Sequence, residues 1–222
     1  MKNVIVISAH PDDETLGVGG TLLKHKEIGD KLFWIIATKI SEDEGFSKER
    51  VNSRQDEIEK VSRRFGFEEV FFLNYSTMSL SSSSVVGLVP RLSKIFQEIK
   101  PEILFSLNRS DAHSDHRYLS DAVMACTKSF RYPFLKKVLM YECLSETEFA
   151  PAFPEKVFLP NYFVDISEFL EKKIEIMRIY SSELGDHPFP RSERNIRALA
   201  TYRGAVAGCE YAEAFQIVKI ID

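Results

Sequence analysis

The chain has 222 residues, 44% hydrophobic and 28% charged, with a formal net charge of −4. That length can bury a sizeable core and is most simply one domain, residues 1–222. The composition is that of an ordinary globular chain. Its acidic balance excludes a global basic field for nucleic acid or an anionic membrane surface. No apolar run is long enough for a membrane span or a signal peptide, so the expected compartment is the cytoplasm. Cys126, Cys143 and Cys209 are scattered and form no CxxC pair. They read as buried free thiols in a reducing cytoplasm.

The first expected strand, Asn3–Ser8, contains the apolar run Val4-Ile5-Val6-Ile7. A continuously apolar run predicts a strand buried on both faces. The turn Ala9-His10-Pro11-Asp12-Asp13-Glu14 follows, and then a helix over Gly19–Ile28 closed by Gly29. His25 reads as a surface residue of that helix. Within Gly17-Val18-Gly19-Gly20 the glycines do not match GxGxxG, and tight helix–strand packing explains them better than a dinucleotide site. Strand two is Leu32–Thr38. The polar loop Lys39–Ser47 leads, with Ser47 as N-cap, into a helix over Lys48–Phe65 that stops at Gly66. Strand three is Glu69–Leu73.

The polar loop Asn74–Ser84 precedes a helix over Val85–Ile99, which ends before Pro101. Strand four is Ile103–Ser106. The loop Leu107–His116 is dense in polar groups, and a helix follows over Arg117–Phe130. Strand five is Lys137–Tyr141. The segment Glu142–Pro160 is irregular and proline-rich, suited to a lid. Tyr162–Asp165 is a short strand, Ile166–Tyr180 a helix and Ser181–Pro190 a loop. Ser192 caps a helix running to about Val206 with Gly208 as its stop, and Phe215–Ile220 is the last strand.

Strands alternating with helices predict an α/β, Rossmann-like three-layer sandwich: a mostly parallel sheet with helices on both faces. The expected strand order is 3-2-1-4-5 plus C-terminal additions. Strands one and four are then neighbours at the topological switch point, where open α/β sheets bind ligands. The turns after them share one crevice and hold His10, His113 and His116, three of the five histidines. His10 and Asp13 are three residues apart, as are His113 and His116, so each pair can face one side of a helical bend. Imidazole and carboxylate are ordinary zinc ligands, and a catalytic zinc takes three protein ligands with one position left open. The candidates exceed three, so some have other roles. Asp12, beside the ligand pair but off its side, suits a general base.

These two motifs, Ala9-His10-Pro11-Asp12-Asp13-Glu14 and His113-Ser114-Asp115-His116, resemble those of the PIG-L/LmbE family of zinc-dependent N-deacetylases. Arg54-Gln55-Asp56-Glu57, Phe65-Gly66 and Tyr211-Ala212-Glu213-Ala214-Phe215 extend the likeness over nearly the whole chain. The resemblance implies a Rossmann-like fold. It also implies hydrolysis of the N-acetyl amide of a glucosamine-type sugar or conjugate, with release of acetate. By the same resemblance His10, Asp13 and His116 hold zinc, one ion per chain, with another divalent metal acceptable. Asp12 activates the water, His113 steadies the oxyanion and passes a proton to the amine, and Asp115 supports a histidine from behind.

Arg54 either contacts the substrate or pairs with Glu57 on a solvated helix face. His187, in the Pro-bounded stretch Gly185–Arg191, is either a loop residue or a substrate contact. The expected partner is a small N-acetylated sugar, with no nucleic acid and no membrane; a homo-oligomer is left open. Three rivals remain: an amidase of a sugar–thiol conjugate, a metal-free nucleotide-binding Rossmann protein, and a silent sugar-binding module.

Overall fold

The run Val4–Ile7 forms the centre of strand β1 (Asn3–Ser8), and its side chains are fully buried. The strand lies between two parallel neighbours, β2 (Lys31–Lys39) and β4 (Ile103–Leu107). β3 (Glu69–Ser76) extends the parallel sheet beyond β2, and β5 (Lys137–Tyr141) extends it beyond β4. The computed structural model describes residues 1–222. With β6 (Tyr162–Asp165) and β7 (Ala212–Ile220), its seven-stranded sheet has the order β3-β2-β1-β4-β5-β7-β6. The final strand, β7, inserts antiparallel between β5 and β6. The 3-2-1-4-5 core is therefore as the sequence implies, and the antiparallel edge makes the sheet mixed.

Six helices surround the sheet: α1 (Asp13–Glu27), α2 (Lys48–Phe65), α3 (Ser82–Ile99), α4 (Ser114–Ala125), α5 (Leu170–Met177) and α6 (Glu193–Ala207). α2 has the bounds its pattern predicts, with Ser47 accepting from the Arg50 N–H and Gly66 in the left-handed conformation at φ 70°. Ser192 likewise caps α6. α1 starts six residues earlier than expected, so Asp13 and Glu14 lie in its first turn, where carboxylates complement the helix dipole. α4 starts at Ser114 rather than Arg117, with His113 as its N-cap, and ends at Ala125 instead of Phe130. α5 is shorter than the expected Ile166–Tyr180. Its flanks are three-residue turns, with Phe169 N–H bonding Ile166 O at 2.8 Å and Tyr180 N–H bonding Met177 O at 3.0 Å.

The glycines of α1 allow close packing, as expected. A Cβ on Gly17 would overlap the Tyr141 ring, and one on Gly20 would press into Ile166. Tyr141 is fully buried and donates its hydroxyl to Ile7 O at 2.8 Å, which ties β5 to the carboxyl end of β1. His25 is not a free surface residue. It is half-buried and pairs with Asp30 at 2.8 Å at the other end of the sheet. No helix is long and apolar enough to cross a membrane.

One buried ion pair fixes α1 from behind. Lys173 of α5 meets Glu213 of β7 at 2.7 Å and also donates to Leu16 O at 2.7 Å. Glu213 accepts from the Gly20 and Thr21 N–H groups at 2.8 and 2.7 Å. Breaking a buried pair on one side leaves a charge without a partner. Lys173→Met should therefore cost about 3–5 kcal/mol of stability. Urea unfolding of the variant against the native protein measures it.

Candidate active site

The turns after β1 and β4 meet at the carboxyl ends of the strands, because β1 and β4 are direct parallel neighbours. The His10 and His116 rings lie 5.4 Å apart between centroids, His10 and His113 4.5 Å, and His113 and His116 5.5 Å. His10, Asp13 and His116 each bring one ligand atom within 4.8 Å of the others. His10, His113 and Asp115 also satisfy that spacing.

The hydrogen bonds separate the two sets. Asp115 is fully used: its Oδ2 takes His10 Nε2 at 3.2 Å and the Met78 N–H at 2.7 Å, and its Oδ1 takes the Leu80 N–H at 2.9 Å. His113 Nδ1 accepts the Asp115 N–H at 3.1 Å. In a neutral ring the proton of His113 is then on Nε2. His116 differs. Its Nδ1 faces Asp111 Oδ2 at 2.9 Å, while its Nε2 is buried without a hydrogen-bond partner. That Nε2 sits 3.3 Å from Asp13 Oδ1, close enough for attraction but not a formed hydrogen bond. An orphaned buried nitrogen beside a carboxylate and a second imidazole fits a cation held by His10, Asp13 and His116.

Around this trio the carboxyls differ sharply. Burial opposes charge on Asp13, yet His116 and His10 outweigh it and hold its carboxyl well below the usual range. Asp12 is pushed well up, first by burial and then by the charges of Asp13 and Glu183. Burial, reinforced by His10 and His116, pushes His113 down to about 4, so its ring is neutral at pH 7. Asp12 has φ 132°, a region that L-residues rarely adopt, and strain of this kind clusters at functional sites. Glu14 supports the turn. Its Oε2 accepts the Asp12 N–H at 3.1 Å, and its Oε1 accepts Thr15 Oγ1 at 2.6 Å and the Tyr180 hydroxyl at 3.0 Å. Burial lifts Glu14 to about 7.

A cavity of about 970 Å³ opens over the trio, bounded by α2, by the loops after β2, β3 and β5, and by Glu183 and Arg191. Arg54 lies on its wall and pairs with Glu57 at 3.3 Å, but both side chains are largely buried, so the pair is not on the solvated helix face that the sequence suggested. His187 is exposed and does not line the cavity, because its Pro-bounded turn carries it outward; a substrate contact there is not supported. Sequence reasoning missed Asp111, Cys143, Glu183 and Arg191. Asp111 is five residues before His116 and offered a faint local signal. Thr147 Oγ1 and Asn108 Nδ2 each donate to Asp111 Oδ1 at 2.8 Å. The Cys143 thiol, 3.5 Å from Asp13 Oδ1, comes from a distant strand end and gave none.

The family model described as GlcNAc-PI de-N-acetylase, PIG-L, matches residues 5–127. Diacetylchitobiose deacetylase of Thermococcus kodakarensis is 24% identical over 98% of this chain and 84% of its own length. A probable N-acetyl-α-D-glucosaminyl L-malate deacetylase 2 of Bacillus anthracis is 21% identical over 82% of this chain and 81% of its own. Among solved structures, the N,N'-diacetylchitobiose deacetylase of Pyrococcus horikoshii superposes with a TM-score of 0.76. It is 25% identical, over 98% of this chain and 84% of that one.

Asp111 holds the far nitrogen of His116 and so fixes which nitrogen faces the trio. Asp111→Ala should weaken divalent-metal affinity on the order of 10–100-fold, the usual cost of losing such a partner. Competition with a chromophoric chelator reads it directly.

Proposed function

This chain belongs to the PIG-L, GlcNAc-PI de-N-acetylase, family, and from that premise we propose that it hydrolyses the N-acetyl amide of a glucosamine-type sugar or conjugate, releasing acetate. It is a hydrolase of non-peptide carbon–nitrogen bonds, as the deacetylases it resembles are. The observation that carries the reading is the orphaned His116 Nε2, buried against Asp13 with Asp12 adjacent. His10, Asp13 and His116 would hold the metal. Two nitrogens and one oxygen with space beside them suit a catalytic zinc better than the all-oxygen shells of calcium or magnesium. A bound zinc supplies Lewis acidity to the acetyl carbonyl and lowers the pKa of a coordinated water.

The chain's own groups do the remaining work. Asp12, with its raised proton affinity, takes the proton from the attacking water. His113 is neutral and presents its Nε2–H to the carbonyl oxygen as that oxygen gains charge. The carbon–oxygen bond forms, the carbon–nitrogen bond breaks, and the amine nitrogen receives the proton that Asp12 took from the water. Acetate and a free amino sugar are the products. Asp115 and Asp111 orient His10 and His116. Three unpaired cysteines support a reducing, cytoplasmic setting.

Metal analysis together with acetate release from N-acetylglucosaminides tests this reading. Chelation should abolish turnover and added zinc should restore it. Asp12→Asn should keep the metal and lose on the order of 10²–10⁴ in kcat, the typical worth of a general base. His113→Ala should lose on the order of 10²–10³ in kcat, the worth of one oxyanion donor. Normal turnover by the Asp12 variant would refute its assignment.

A further inference from the structure

The cavity wall states the charge of the substrate. Its carboxylates (Asp12, Asp13, Glu42, Asp43, Glu146 and Glu183) outnumber its cations, Lys39, Arg50, Arg54 and Arg191. The three arginines converge on one carboxylate. Glu183 pairs with Arg54, with Arg50 at 3.1 Å and with Arg191 at 3.3 Å. Each guanidinium also makes further bonds. Arg54 bonds Pro11 O at 2.8 Å and Arg50 pairs with Glu57 at 3.3 Å. Arg191 bonds Ser145 Oγ at 2.6 Å and Glu183 O at 2.9 Å. Lys39 alone has no carboxylate partner. It is exposed at the end of β2, with Glu42 and Asp43 exposed a few residues away. A dication on His10, Asp13 and His116 brings this wall to balance and not beyond it.

An anionic substituent would give up its water and meet only one cation without a carboxylate partner, the exposed and solvent-screened Lys39, so its desolvation would go largely unrepaid. A neutral pyranoside gives up no charge and can exchange hydrogen bonds with the same wall. We propose that the enzyme selects an uncharged N-acetylglucosaminide, a neutral oligosaccharide of the diacetylchitobiose kind rather than an acid conjugate of the malate kind, and that Glu183 sets this preference by neutralising the arginines. The proposal rests on the deacetylase reading. Glu183 is a specificity-determining residue: replacing its charge frees guanidinium groups for a substrate carboxylate.

The test compares the metal-loaded enzyme on N,N'-diacetylchitobiose and on N-acetyl-α-D-glucosaminyl L-malate. kcat/KM should be at least tenfold higher for the neutral sugar. Glu183→Gln keeps the shape and should narrow that ratio at least tenfold, through a lower KM for the malate conjugate. Calorimetric titration of both sugars into the Asp12→Asn protein should show the same preference in Kd. A preference for malate, or a ratio unmoved in a folded Glu183→Gln enzyme, overturns the proposal. Should that variant not fold, the native ratio and the two Kd values decide. Acetate from neither sugar, with the binding preference intact, would count against the deacetylase reading and not against this one.

Discussion

Asp13 and His116 approach to 3.3 Å across the switch point, and the neighbourhood is arranged around that approach. Both side chains are almost completely out of water, where an isolated charge is expensive. The cost is offset by fixed partners. Asp111 takes the far nitrogen of His116, and the His10 N–H donates to Asp13 Oδ2 at 2.8 Å. Asp115 does the same for His10 while its remaining lone pairs hold two backbone N–H groups of the loop after β3. Of the fully buried nitrogens and oxygens of these side chains, His116 Nε2 alone is without a hydrogen-bond partner.

Holding the first turn of α1 at this spot requires force from several directions. Tyr141 reaches Ile7 O from β5, and Gly17 lets α1 lie against that ring. From the other side the Lys173–Glu213 pair grips Leu16 O and the N–H groups of Gly20 and Thr21. Glu14, clamped by Thr15 and Tyr180, pins the Asp12 N–H. The positive φ of Asp12 persists because these contacts over-determine the turn. Strain, burial and helix anchoring thus converge on one carboxylate, whose proton affinity burial raises.

Where the trio is built on strand ends, the walls of the cavity are built on α2 and on loops. Residues 142–150 and 183–191 bring Cys143, Ser145, Glu146, Glu183 and Arg191 to the cavity, and Arg191 ties the two stretches together through Ser145. Chemistry held by a rigid sheet and selectivity held by its connections is a division many α/β enzymes share. Here the connections present paired charges, with Glu183 and Arg191 facing the arginines of α2.

Periodicity and punctuation alone determined much of this protein. The buried run at Val4–Ile7, the capped and glycine-terminated α2, the parallel core order and the meeting of two histidine-bearing turns all follow from local pattern and from the chirality of βαβ connections. The two motifs themselves were legible because their residues are close in sequence. Only the tertiary structure decided that β7 enters between β5 and β6, since a strand's partner depends on contacts across the whole chain. It alone showed that His187 turns outward, that His25 pairs with Asp30, and that Asp111, Cys143, Glu183 and Arg191 face the centre. Cys143, Glu183 and Arg191 meet partners far along the chain, and the five-residue spacings of His25–Asp30 and Asp111–His116 match neither a helix nor a strand period, so these pairs become visible only when the chain has folded.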